Sequence, residues 1–447
     1  MKTCLFIAAW LAMSTCQTIQ AEDWTRFRGS GGTGVSAKAA PTEWSPQKNI
    51  KWKAKLPGAG VSCPIIVDDK VFLTCYSGYG LDRREPGDMK ELKRHVVCVD
   101  RKKGSILWEK KIESKTTEDR YSGMGVPEHG YASHTPVTDG KAIYVFLGKS
   151  GVHAFDLEGK ELWNAEVGTG SDDRRWGSAS SPILFEDLVI VPAIAESGSL
   201  VALDKKTGKT VWKQEADGLR NSWSTPLIVK VDDKRSDLVI GVPYEVWGLN
   251  LRSGKLRWYF PIEGSSFYTS VSAKAGVVYG SIGGRGGGCS FAVKAGGKGD
   301  VTESHKVWLT GDQSSYATPV VHDDQMFIAS RGIATLINAK NGERIARSRL
   351  ENKATEKNEA DSASSGRGRR RGGFGGDYAS PVLANKKIYY IKRNGDMFVL
   401  SADEKLETLA VNRVSENSEE FSATPAIVDG QIFIRSNTHL YCVETEK

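Results

Sequence analysis

One phrase recurs eight times along the chain, and that recurrence constrains the fold more than any single motif. It joins small residues, usually followed by proline, to an apolar stretch, a tight polar turn and a second apolar stretch. The copies start at Ser62-Cys63-Pro64, His134-Thr135-Pro136, Ser180-Ser181-Pro182, Ser224-Thr225-Pro226, Tyr268-Thr269-Ser270, Ala317-Thr318-Pro319, Ala379-Ser380-Pro381 and Ala423-Thr424-Pro425. Successive starts lie 72, 46, 44, 44, 49, 62 and 44 residues apart, so the base period is near 44. The turns carry hairpin chemistry, as in Asp139-Gly140 and Asp429-Gly430.

A second phrase follows in most copies. It is clearest in Ala202-Leu203-Asp204-Lys205-Lys206-Thr207-Gly208-Lys209-Thr210-Val211-Trp212. Kindred versions run from Cys98 through Gly104 to Trp108, from Phe155 through Gly159 to Trp163, and from Leu249 through Gly254 to Trp258. Asp or Asn caps a turn and Gly takes a positive φ, so two further strands are predicted. Four strands per period of this length predict a blade of a β-propeller, and eight copies predict eight blades. The fold class is therefore all-β: an eight-bladed propeller of four-stranded antiparallel sheets. Length alone, at roughly 150 residues per domain, would have suggested three domains. The last copy lacks its outer strand and the N-terminal region carries a spare one, Ile50-Lys51-Trp52-Lys53-Ala54-Lys55. Pairing the two closes the ring and removes the open sheet edges. Trp52, Trp108, Trp163, Trp212, Trp258 and Trp308 then share one task, packing between blades.

The A-x-D-x-x-T-G-x-x-x-W phrase resembles the repeat of the pyrroloquinoline-quinone (PQQ)-like propellers, a WD40/YVTN-like class of β-propeller. That family includes the quinoprotein alcohol dehydrogenases and the propeller lipoprotein of outer-membrane barrel assembly. The resemblance covers about residues 50–447. Asp23-Trp24-Thr25-Arg26-Phe27-Arg28-Gly29 with Gly32-Thr33-Gly34-Val35-Ser36 is similar to the lead-in of exported PQQ-like repeat proteins of planctomycete-type bacteria.

Residues 1–21 read as a cleaved signal peptide, with Lys2 before an apolar run from Cys4 to Met13 and a cleavage site near Ala21. The expected organisation is signal 1–21, lead-in 22–49 and propeller 50–447, with an Arg/Gly-rich insert over 352–376. The expected location is the periplasm or the cell exterior, with no transmembrane segment and a monomeric chain. Beyond the signal, Cys63, Cys75, Cys98, Cys289 and Cys442 form no CxxC or adjacent pair. Cys63 stands where sister repeats have Ser or Thr and reads as a small core residue. Cys75 and Cys98 fall on neighbouring strands, where a disulfide is one alternative to free thiols.

The excess residues gather on one face. Ser77 to Arg94 and Gly283 to Gly288 join second to third strands, while Glu113 to Gly130 and Asn352 to Gly376 cross between blades. All four fall at the same end of a propeller, and long loops on a rigid scaffold carry function. Residues just before the inner strands line that mouth: Tyr131, His134, Arg175, Trp176, Asn221, Trp223, Tyr268, Tyr316, Asp377, Tyr378 and Phe421. Such a collar can stack a flat ligand or a sugar.

The resemblance to PQQ dehydrogenases implies a calcium ion held by Glu, Asn and Asp, a base and a tryptophan floor. Many of those enzymes also have two adjacent cysteines, which this chain lacks. Asn221, Asp377 and Glu420 are the nearest matches for the cation set, and Trp176 and Trp223 for the floor. PQQ with calcium is thus the alternative to a non-catalytic binding scaffold, and envelope protein assembly is a second alternative. Asp119, Glu128, His129 and His134 have no zinc spacing and read as a hydrogen-bonded loop. No hydrolase, zincin, kinase or phosphate-loop signature occurs. The net charge is +7; Lys2 contributes one, and residues 352–376 contribute six positive and three negative charges, which leaves the propeller near +3. That is no nucleic-acid footprint. An envelope protein, a glycan or a small molecule is the expected partner.

Overall fold

The computed structural model describes residues 23–114, 116–284, 287–352 and 376–446. It contains eight sheets, each with four antiparallel strands, and these are the blades of one propeller. Blade one runs Ile65–Val67, Lys70–Ser77, Lys93–Asp100 and Ile106–Glu113, from the axis outward. Blade eight takes Ala426–Val428, Gln431–Arg435 and His439–Glu444 from the C-terminal region and Ile50–Lys55 from the N-terminal region. Trp52 lies opposite Cys442 in that antiparallel pair, so the expected ring closure is present.

The tryptophans weld neighbouring blades. The indole Nε1 of Trp52, Trp108, Trp163, Trp212 and Trp308 donates to Arg101, Leu157, Lys205, Leu251 and Ala339 carbonyls, each in the turn of the following blade, at 2.9–3.2 Å. The turn glycine of that blade lies flat on the ring: a Cβ on Gly254 would stand 2.7 Å from Trp212, and its φ is +68°. Only glycine tolerates both the approach and the left-handed backbone. Trp258 departs from the pattern because blade five lacks the Asp-x-x-Thr-Gly turn. Its indole donates to Asp237 Oδ2 of its own blade at 2.8 Å, and Gly299–Asp300 pairs in parallel with its strand instead.

A second ring lies at the starts of the inner strands. The amide of each blade's small residue donates to the side chain of the next: Cys63 to Thr135, Thr135 to Ser181, Ser181 to Thr225, Thr225 to Ser270, Ser270 to Thr318, Thr318 to Ser380 and Ser380 to Thr424, all at 2.9–3.0 Å. Thr424 then donates to Cys63 Sγ at 3.2 Å. This explains why a small hydroxyl residue recurs, and it corrects the fifth copy by one position. Ser270, not Thr269, occupies the ring, with Val271 in the place of the proline.

The lead-in crosses the base of the channel. Trp24 bridges Ile66 of blade one, the Thr138 amide of blade two donates to the Thr25 carbonyl, and Arg26 reaches the Pro226 carbonyl of blade four. Val35–Ser36 then pairs in parallel with Val382–Ala384 of blade seven. Trp24 is 1% exposed, so this plug is part of the core. The five cysteines are free and buried. Cys75 faces His95 and Cys98 faces Phe72 in the ladder, so the two thiols are out of register and the disulfide alternative falls. Gly283 and Gly284 pair with Gly288 and Gly287 as an extension of the strand ladder, and positions 285 and 286 lie outside the described residues. The signal assignment lies outside the described residues, as do positions 353–375 of the insert. Among the described residues no helix is long and apolar enough to cross a membrane.

Candidate functional site

At the long-loop face five rings form a continuous arc across blades three to seven. Centroid separations are 5.6 Å for Trp176–Trp223, 5.3 Å for Trp223–Tyr268, 5.6 Å for Tyr268–Tyr316 and 4.7 Å for Tyr316–Tyr378. All five side chains are half-buried. The residues preceding the two tryptophans shape this placement. Arg175 and Asn221 take left-handed backbone, φ +54° and +62°, which turns the chain sharply before Trp176 and at Ser222-Trp223.

The platform is held from below. Asp172 Oδ2 accepts the Trp176 amide at 2.8 Å, and His129 Nε2 donates to the Trp176 carbonyl at 2.7 Å. Burial keeps His129 neutral by lowering its pKa. The Trp223 indole donates to the Gly177 carbonyl at 2.8 Å. Arg174 lies over the Trp176 ring, 4.9 Å from its centroid, and donates to the Tyr268 hydroxyl at 2.9 Å.

The short helix Val126–His129 closes the arc. At one end Gly125 backs onto Trp176, where an added Cβ would stand 2.4 Å from the ring. At the other, Glu128 pairs with Arg393 at 2.5 Å and Arg83 at 2.9 Å, and accepts from the Tyr378 hydroxyl at 3.4 Å. Burial raises the Glu128 pKa, but Arg393 and Arg83 more than offset it, and the net direction is down. Beside Tyr316 a polar cleft of about 370 Å³ is lined by Asp312, Gln313, Ser315, Arg331, Arg344 and Arg347 among others. Arg331, Arg344 and Arg347 are all exposed, and Arg344 is paired with Asp312 at 2.6 Å. The sequence reading missed this cleft, because its arginines come from a loop and an outer strand whose spacing carries no motif.

Three residues of the expected collar lie elsewhere. Tyr131 sits in a tyrosine cluster with Tyr76, Tyr79 and Tyr121, at 5.4, 5.8 and 6.3 Å. Phe421 is 2% exposed in the core shared by blades seven, eight and one. His134 packs on Phe146 at 4.4 Å, and its Nε2 meets Ser178 Oγ at 2.9 Å. Ser178 also bonds Glu196. Burial lowers the His134 pKa to about 3 and raises the Glu196 pKa to about 7. These residues precede inner strands as the others do, but their side chains turn inward, a direction that position in the repeat does not encode.

Among the described residues no group of three His, Cys, Asp or Glu side chains can hold a metal ion. Asp119 bonds Ser171 and Lys149, Glu128 bonds arginines, and His129 bonds Ser133 and Trp176. The set matched to a PQQ–calcium site does not fit either. Asp377 accepts the Arg393 amide at 2.9 Å and Glu420 pairs with the Arg393 guanidinium at 2.8 Å, while Asn221 belongs to the crossover into blade four.

The family described as outer membrane protein assembly factor BamB matches residues 92–348. No curated protein sequence matches the chain. Among solved structures, BamB from Moraxella catarrhalis is similar at TM-score 0.55 and 14% identity, covering 89% of this chain and 97% of that one. Quinohemoprotein alcohol dehydrogenase from Comamonas testosteroni is similar at TM-score 0.61 and 11% identity, covering 95% of this chain and 81% of that one. The computationally designed Ika8 protein gives 0.53 and 13%, covering 87% and 98%. At these identities the structures share the fold.

Proposed function

Because the chain belongs to the family described as outer membrane protein assembly factor BamB, a PQQ-like repeat propeller, we propose that it is an exported, non-catalytic binding propeller that takes an acidic glycan chain on its long-loop face. The observation that carries this reading is the arc from Trp176 to Tyr378 running beside a cleft lined by the exposed arginines Arg331, Arg344 and Arg347. Aromatic faces suit the apolar faces of pyranose rings, and guanidinium groups suit their carboxylates. His129, Asp172 and Gly125 fix the Trp176 platform in advance, which lowers the ordering cost of binding.

Titration with hexagalacturonate, read by tryptophan fluorescence, tests the reading. Saturable quenching is expected in the wild type and is lost in Trp176→Ala/Trp223→Ala. A second reading, participation in outer-membrane protein assembly, is favoured by the family match over more than half of the chain. It calls for a protein partner at the same face, and co-purification of an outer-membrane barrel protein from envelope extract, abolished by changing Glu128 and Arg393, is its expected result.

A further inference from the structure

Among the described residues three arginines are buried without a carboxylate partner. Arg26 is 8% exposed, Arg28 1% and Arg435 1%. Buried arginine is ordinarily paired, because an uncompensated charge in a protein interior is strongly unfavourable. Among the described residues they meet only neutral acceptors. Arg26 donates to the Pro226 carbonyl at 3.0 Å and Arg28 to the Thr33 carbonyl at 2.7 Å. Arg435 donates to the Ser62 carbonyl and hydroxyl at 2.8 and 2.5 Å and to Cys75 Sγ at 3.5 Å. Arg28 Nε and Nη1, Arg26 Nε and Arg435 Nε have no acceptor among the described residues.

Arg28 and Arg435 converge on one place. Arg435, at the end of the second strand of blade eight, donates to the Ser62 carbonyl beside Cys63, and Arg28 of the plug is electrostatically coupled to the same Cys63. Cys63 belongs to the ring of small residues at the starts of the inner strands. Ser181, Thr225, Ser270, Thr318 and Ser380 of that ring receive amide hydrogens on their oxygens, and among the described residues their own hydroxyl hydrogens meet no protein acceptor. The level of Cys63 therefore combines positive charge with a circle of O–H donors, the chemistry of an anion site.

We propose that the propeller axis at Cys63 is a binding site for a small inorganic anion of the halide class, held chiefly by the Arg28 guanidinium with Arg435 as the second cation. Such an ion supplies the missing counter-charge and locks the lead-in plug to the ring. Burial lowers the Arg28 pKa to about 9, against a smaller opposing effect of Cys63, and lowers Arg26 to about 10; among the described residues no carboxylate offsets either, which is the imbalance an anion corrects.

Bromide is the probe. The thermal midpoint of the wild type is compared in bromide and in gluconate at equal ionic strength, alongside Arg28→Met, which keeps the side-chain length and removes the charge. The expected result is a saturable upward shift in bromide for the wild type and none for the variant. Crystals of the wild type grown in bromide should show an anomalous peak within hydrogen-bonding reach of Arg28. This arm stands even if Arg28→Met does not fold. Equal bromide responses in the two proteins, or bromide crystals without that peak, overturn the proposal.

Discussion

The Thr424 amide donates to Cys63 Sγ at 3.2 Å, and this contact joins the last blade to the first in the inner ring of hydrogen bonds. Seven of the eight acceptors in that ring are hydroxyls, and Cys63 is the thiol that completes it. Its residue type therefore follows from size and acceptor capacity. Burial raises the Cys63 pKa, so the thiol stays protonated and unreactive.

Replacing that acceptor tests the ring. Cys63→Ser should hold stability within about 1 kcal/mol, because the hydroxyl accepts the same amide. Cys63→Ala leaves the buried Thr424 amide unpaired and should cost about 1–3 kcal/mol in urea unfolding.

Much of the architecture was legible in the residues, for a physical reason. Each blade buries the same faces against its neighbours, so Trp212 and Gly254 must recur with their partners at the same offsets. The plug was not legible: Trp24, Thr25, Arg26 and Val35 precede the repeat and their contacts lie with blades one, two, four and seven, so no period announces them. The arc was legible in part. Trp176, Trp223, Tyr268, Tyr316 and Tyr378 form one arc of rings and are half-buried, whereas Tyr131, His134 and Phe421 are buried.

The contact between Trp212 and Gly254 should behave as a coupled pair. Trp212→Ala is expected to cost about 3–5 kcal/mol. Gly254→Ala alone should cost more than about 1 kcal/mol, since φ is +68° and the new Cβ meets the ring at 2.7 Å. The steric part of that cost should vanish in the double variant, giving a non-additive cycle.

The chain His134–Ser178–Glu196 makes stability depend on pH with two opposing slopes. Glu196 binds its proton more tightly in the folded state, so its contribution, on the order of 3 kcal/mol, is present below its ordinary pKa of 4.5 and is lost as pH rises through about 7. His134 loses its proton more readily when folded, so its contribution is present above 6.5 and is lost as pH falls toward about 3. Between pH 4.5 and 6.5 the two oppose each other. Glu196→Gln removes one slope, and its stability relative to the wild type should rise from pH 5 to pH 7 in urea unfolding at the two values.

Closure of the mouth by Glu128 and Arg393 predicts a charge-specific effect on binding. Glu128→Gln leaves Tyr378 a neutral acceptor but weakens the pairs with Arg393 and Arg83. It should loosen the helix from blade seven and lower hexagalacturonate affinity several-fold, with a change in thermal midpoint of only a few degrees. Calorimetry on the folded variant reads the first, and a melting curve the second.

The most direct test of the binding account sets the arc against the cofactor alternative in one series. Wild type and Trp176→Ala/Trp223→Ala are titrated calorimetrically with hexagalacturonate, then supplied with PQQ, calcium and an alcohol or sugar in a dye-reduction assay. The account predicts saturable saccharide binding by the wild type, its loss in the double variant, and no dye reduction by either. Saccharide binding that survives the double variant, or PQQ- and calcium-dependent dye reduction by the wild type, would contradict it.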